Sequence, residues 1–247
     1  MTSSTAYTTM AGLQAITAQM DATAANLANV QTPGYAAVQA AIQAAPYVGA
    51  NAPAGADTVA LIPAPNTQQG ALVHTGDPFN VALGGNAWLE VQTASGNTLT
   101  RNGTLQISSN GILIDSSGDP ILSVSGQPIS LPALAKIEIG TDGTVSGVPT
   151  GQPGELAQSY GQINLVSTPA GPLTPLGGSL FSPASDAVLQ TSQNGSLHQG
   201  YLNGSNVDPT QAMMALIAGS RSYQLQTELL KTQSGGSQQL NALLAQG

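Results

Sequence analysis

Residues 201–247 read YLNGSNVDPTQAMMALIAGSRSYQLQTELLKTQSGGSQQLNALLAQG. The run Asn206-Val-Asp208-Pro209 is a helix start. Asp208 caps the first-turn N–H groups, and Pro209 suits the first helical position because the N–H it lacks has no partner there in any helix. No proline follows. Positions three and four apart then run Met213, Leu216, Ser220, Tyr223, Thr227, Leu230, Ser234, Ser237, Asn241 and Leu244, a heptad seam that is apolar at both ends and small or polar between. A continuous helix here spans about 55 Å. A seam of that length requires a second helix to cover it, and the chain offers one candidate, at the other terminus.

Residues 3–28 carry a matching seam: Ala6, Met10, Leu13, Thr17, Met20, Ala24 and Leu27, flanked by Ile16. Ala and Gln fill the other faces and support helix despite Gly12. The helix is predicted to end near Ala28 or Asn29. Gln31-Thr-Pro33-Gly34-Tyr35 is turn chemistry, and the residue before proline is pushed out of the α region. Residues 36–69, rich in Pro, Ala and Gly, are predicted to form an irregular linker.

From Gly70 the pattern changes to short apolar runs of period two, punctuated by Gly, Asn, Asp and Pro. Ala87–Val91 reads as a strand with Trp88 in the core. Leu105–Ile107, Asn110-Gly111 and Ile112–Ile114 read as a hairpin closed by a type I′ turn. Ile137–Ile139, Asp142-Gly143 and Thr144–Ser146 repeat that arrangement, and Ile163–Val166 and Val188–Gln190 are later strands. Turn signals about every ten residues predict an all-β sandwich or barrel. The fold class is therefore α+β: terminal helices (1–35 with 201–247) pairing as a coiled coil, a linker (36–69), and a central β domain (70–200) inserted between them.

Composition narrows the function. The chain has 12 acidic and 4 basic residues, a net charge of −8, and only 6% charged residues, so its surface is built from Ser, Thr, Gln, Asn and Gly. Such a surface argues against nucleic acid and against an anionic membrane. With no cysteine, disulfides and thiolate metal sites are excluded. The N-terminus lacks the basic and apolar regions of a cleaved signal, and no segment is long and apolar enough to span a bilayer. His74 and His198 show no metal-ligand spacing, and no HExxH, GxSxG, P-loop or GxGxxG-helix motif is present. Asp115 and Asp119 read as a turn in which Asp caps its own backbone, since a calcium loop needs more ligands. The expectation is a chain with no catalytic residues, cofactor or metal. Arg101, in Thr100-Arg-Asn-Gly103, is either an anchor for a buried carboxylate or subunit, or a solvated hairpin flank.

Three segments together resemble the flagellar axial-protein family of bacteria. Ala24-Ala-Asn-Leu-Ala-Asn-Val-Gln-Thr-Pro-Gly-Tyr35 looks like its N-terminal signature, with Ala25 where a second Asn usually stands. Leu99-Thr-Arg-Asn-Gly103, on through Asn110-Gly111 to Asp119-Pro-Ile-Leu122, looks like the β-domain motif of the rod and hook subfamily. Gly204-Ser-Asn-Val207, on through Arg221-Ser-Tyr223 to Leu229-Leu-Lys-Thr232, looks like the C-terminal signature, with Gly219 and Gln224 departing from it. Length, Gln69–Asp77 and Ile137–Ser146 are most similar to the proximal-rod F type, with the distal-rod G type next.

The resemblance implies a structural, non-enzymatic subunit of the basal-body rod. It implies export through the flagellar type III apparatus, assembly with other rod proteins and copies of itself, and no membrane insertion. Met10, Leu13, Met20, Leu27, Met213, Leu216, Tyr223 and Leu230 are expected as interface seam residues, with Asn26, Asn29, Asn206 and Arg221 as polar register-setters. The alternative is a secreted carbohydrate-binding or carbohydrate-cleaving β domain, which requires a concave pocket with two carboxylates.

Overall fold

Asp208 starts the long helix as its position predicts. Its Oδ1 accepts the backbone N–H groups of Thr210 (2.8 Å) and Gln211 (3.1 Å), and its carbonyl accepts the N–H of Ala212. The computed structural model describes residues 2–46, 56–151, 156–167, 173–184 and 189–244. In chain order it contains α1 (Thr2–Ala28), β1 (Val38–Pro46), β2 (Ala56–Pro65), β3 (Leu72–His74), β4 (Val81–Gly84), β5 (Ala87–Thr93), β6 (Gly96–Thr100), β7 (Leu105–Ile107) and β8 (Leu113–Asp115). There follow β9 (Leu134–Ile139), β10 (Thr144–Pro149), β11 (Gln158–Gln162), β12 (Leu165–Ser167), β13 (Leu173–Gly177), β14 (Leu180–Pro183), β15 (Ser196–Gln199), β16 (Tyr201–Asn203) and α2 (Pro209–Leu244). These residues group into two compact units, one within Met1–Ala28, Val38–Ala64 and Asp208–Gly247, the other within Asn29–Ala37 and Pro65–Val207.

In the first unit α1 and α2 pack antiparallel, because Gly12 faces Gln226 while Met20 faces Gly219. Within the expected linker, 36–69, the same unit forms regular structure at 38–46 and 56–65, where β1 and β2 pair as a two-stranded sheet; 47–55 lie outside the described residues. Val38, Ile42, Thr58, Val59 and Ile62 are β-branched residues spread through the segment, and they suit a pleated strand better than its Pro and Ala content suggests.

In the second unit the largest sheet has the order β12-β5-β6-β14-β13, all antiparallel. A three-stranded sheet, β11-β10-β9, and the pairs β15-β4, β16-β3 and β7-β8 complete it. β5 is buried on both faces. Ala87, Leu89 and Val91 enter a core shared with Val81, Leu105, Leu113, Ile121 and Ile163. On the other face Trp88 is fully buried, edge-on to Phe181 with ring centroids 5.4 Å apart.

The β7-β8 hairpin pairs as the sequence predicts, but its turn does not take the two-residue form. Ser108 and Ile112 still pair, and Gly111 N–H donates to the carbonyl of Ser108, with Gly111 at φ +75°. Asn110-Gly111 thus supplies one left-handed residue to a longer loop rather than two to a type I′ turn. Leu189 and Gln190 of the predicted 188–190 strand make no regular strand, although Thr191 bridges Val166; Val188 lies outside the described residues.

Candidate assembly surfaces

Of the three asparagines expected to set register, Asn26 and Asn206 brace backbone of their own chain, and Asn29 bonds neighbouring side chains. Asn26, near the end of α1, is bidentate to Val38: Nδ2 donates to its carbonyl and Oδ1 accepts its N–H, both at 2.8 Å. Asn206, before α2, accepts the N–H of Ala37 (2.7 Å) and donates to the carbonyls of Asn66 (2.9 Å) and Gln68 (2.8 Å). Asn29 accepts from the Thr32 hydroxyl and bonds the phenol of Tyr35, whose pKa is nonetheless raised by burial. A fourth, Asn203, was not anticipated. It is buried, accepts the N–H of Leu83 (2.7 Å) and donates to the Leu83 carbonyl (3.2 Å). Its sequence signal is an Asn closing a short apolar strand just ahead of a helix cap.

Arg101 is not a solvated hairpin flank, and within the chain it pairs with carbonyls rather than a carboxylate. Its guanidinium is buried, lies 4.7 Å over the ring of Trp88, and donates to the carbonyls of Thr67 (2.6 Å) and Gly85 (3.3 Å). Burial lowers its pKa, yet an arginine stays charged at any physiological pH. Gly34 (φ +68°) passes so close that a Cβ would overlap the Arg101 backbone carbonyl, which gives the signature Pro33-Gly34-Tyr35 its physical requirement for glycine.

The helices place the predicted seam residues unevenly. Leu13, Met20, Leu27, Leu216 and Leu230 are half-buried, while Met10, Met213, Tyr223 and Arg221 are exposed. The positions of closest approach fall on the predicted seam at Met20 and one step away from it at Gly12, Gly219 and Gln226. Ala15 and Ala212 are the buried residues, and Gly12 and Gly219 face Gln226 and Met20. A Cβ on Gly219 would stand 2.8 Å from Met20 Cγ, so small residues, rather than the large apolar ones, set the spacing of the pair. Ala6 and the seam positions Ser234, Ser237, Asn241 and Leu244 lie outside the residues whose side chains are described.

Two surfaces result. On α2, Ala212, Leu216, Gly219, Gln226 and Leu230 share the face toward α1 at helical spacing. Met214, Ile217, Arg221 and Leu225 project from the opposite face, spaced three, four and four apart. Met214, Ile217, Leu225 and the adjoining Leu229 are 56–68% exposed. α2 is therefore apolar on two opposed sides, although only one is covered within the chain. The other surface is a groove of about 350 Å³ formed by Met10, Leu13, Thr17, Ala18 and Asp21 of α1 with Tyr223 of α2. The spacing that predicts a closed seam on α1 instead builds one wall of this groove.

A larger cleft, about 550 Å³, lies in the β unit among His74, Phe79, Ile107, Lys136, Glu138 and Gln199. Among the described residues of its lining Glu138 is the one carboxylate, which does not make the pair of acids required by glycoside hydrolysis. Among the described residues no cluster of His and carboxylates is suited to a metal, and no helix is long and apolar enough to cross a membrane.

Comparison with known proteins follows the same division. Residues 7–35 match the model of the flagella basal body rod protein, 82–147 that of the flagellar hook protein FlgE/F/G D1 domain, and 198–243 that of the flagellar basal body rod FlgEFG protein C-terminal region. The flagellar basal-body rod protein FlgF of Escherichia coli (strain K12) is 32% identical over 246 residues, covering 97% of each chain. The chain belongs to the flagellar basal-body rod protein family. FlgF of Salmonella typhimurium LT2 is also 32% identical over 97% of both chains, and FlgG of Agrobacterium fabrum is 30% identical over 90% of this chain and 92% of its own. As a basal-body rod family member the chain is a structural rod subunit, and its place is the flagellar basal body. The terminal matches fall on α1 with its Pro33-Gly34 turn and on β16 through α2, the segments that carry Asn26, Asn206 and both helical surfaces.

Proposed function

We propose that this rod subunit has no catalytic activity and works by polymerising, its helical unit packing as a coiled coil against neighbouring axial subunits so that torque passes through many parallel side-chain contacts. Its partners are other flagellar rod proteins and copies of itself, reached after passage through the flagellar type III export apparatus, and it does not insert in a membrane. The observation that carries this reading is the outer face of α2. Met214, Ile217, Leu225 and Leu229 stand in solvent on a helix whose inner face is already used, and a run of exposed large apolar residues marks an interaction surface.

The test is to place a charge on that face. Met214→Glu and Leu225→Glu replace side chains that touch solvent in the free chain, so helicity and β-unit fluorescence are expected to stay as in the unmodified chain. Incorporation into rods and motility are expected to be lost. Normal rods from the double variant would exclude this face from assembly. In parallel, backbone hydrogen exchange along α1 and α2 is expected to slow when the free chain enters the rod.

A further inference from the structure

The two helical surfaces carry opposite charges. α1 contains a single charged residue, Asp21, and it lies in the groove with Met10, Leu13, Thr17, Ala18 and Tyr223. The outer stripe of α2 carries Arg221 between Ile217 and Leu225, and Glu228 follows on the same face one turn beyond Leu225. Both side chains are exposed, and neither forms an ion pair among the described residues. In a protein with only 4 basic residues and net charge −8, an arginine set in an apolar stripe is a specific feature rather than part of a general charged surface.

We infer that the occupant of the groove is the α2 stripe of a second copy of this chain, with Arg221 of one copy meeting Asp21 of the next while Ile217 and Leu225 enter the apolar part of the groove. This rests on the assembly role proposed above and specifies the partner and the pairing. Groove and stripe lie on different faces of the same helix pair, so the contact is heterologous. Each copy offers a stripe to one neighbour and a groove to another, an arrangement that extends as a helix unless its rotation closes a ring. The small size of Thr17 and Ala18 keeps the groove open, and their replacement by larger residues would fill it from within.

Because the chain has no cysteine, disulfide trapping in flagellated cells reads the contact directly. Thr17→Cys and Ile217→Cys in one full-length chain are expected to give a ladder of homotypic cross-links in extracted basal bodies. Two chains carrying one change each are expected to stop at dimers. Asp21→Arg or Arg221→Asp alone is expected to reduce cross-linking and motility at least severalfold, and the combined reversal, Asp21→Arg with Arg221→Asp, to restore both. Cross-links that join this chain only to a different rod protein, or a double reversal no better than the single ones, would overturn the pairing and leave the broader assembly role standing. Failure of the Met214→Glu, Leu225→Glu test above would remove the assembly role itself.

Discussion

The side-chain amide of Asn26 mimics a neighbouring strand for Val38, donating to its carbonyl and accepting its N–H at 2.8 Å each. Asn203 treats Leu83 in the same way in the β unit. A primary amide carries a donor and an acceptor on one rigid plane, so it can satisfy both backbone groups of a residue that has no strand on that side. Val38 is the first residue of β1 and is buried, where an unmet N–H or carbonyl is expensive.

Removing that amide is expected to destabilise the junction of α1 and β1. Asn26→Ala leaves both groups of Val38 unmet and should lower stability by about 1–3 kcal/mol. Asn26→Asp keeps the acceptor and loses the donor, so it should fall between Ala and the native residue. The check is amide exchange at Val38 in the full chain, which should accelerate in the order Asn, Asp, Ala. Unchanged exchange in Asn26→Ala would mean the pairing contributes nothing.

The closeness of the helices gives a second expectation. Gly219→Ala gains about 1 kcal/mol of helix propensity and brings a Cβ 2.8 Å from Met20 Cγ, where a flexible side chain can yield. The two effects oppose, and the net change should stay within about 1 kcal/mol. Gly219→Val adds bulk that Met20 cannot clear and should cost about 1–3 kcal/mol, followed by urea titration of the helical signal at 222 nm. Met20→Ala in the Gly219→Val background should recover part of the loss. Equal stability of the Ala and Val variants would show that the helices do not approach at this point.

Much of this protein is legible from periodicity and capping, and the remainder depends on contacts between segments distant in sequence. The Asp208-Pro209 start of α2 follows from local chemistry alone, and so does Trp88 as a core residue, because a strand of period two with one large aromatic has one place to put it. The inner face of α2 follows the predicted seam at Leu216 and Leu230 and departs from it by one position at Ala212, Gly219 and Gln226. Heptad reading favours the largest apolar residue at each turn, whereas two close helices favour the smallest, here Ala212 and Gly219. The wide stripe through Met214 and Leu225 escaped the same reading, since a helix apolar on two sides shows no single seam. Arg101 was legible as unusual but not as a ring-stacked donor to Thr67 and Gly85, because its partners are distant carbonyls that leave no mark in sequence. β1 and β2 were hidden by their Ala and Pro content.

Asp115 provides the pH expectation. Burial raises its pKa above the ordinary carboxylate value, against the opposing effect of the N–H groups of Ser117 (2.8 Å) and Asp119 (2.9 Å), which both donate to Oδ1. A carboxyl with a raised pKa holds its proton longer in the folded chain than in the unfolded one. In the window between the two values the folded state therefore binds more protons, and stability falls as pH rises through it. Below the unfolded value the protonated form is common to both states and the contribution is fully present; above the folded value it is gone. Asp115→Asn keeps an oxygen acceptor for Ser117 and Asp119 and has no charge to desolvate. It should be at least as stable as the native chain at pH 7 and should flatten the decline above the ordinary carboxylate pKa. Trp88, the one tryptophan, is fully buried in the same unit, so its fluorescence during urea unfolding at several pH values reads the difference. A variant that is less stable than the native chain at pH 7, with the native slope retained, would show that the Asp115 charge is favourable where it sits.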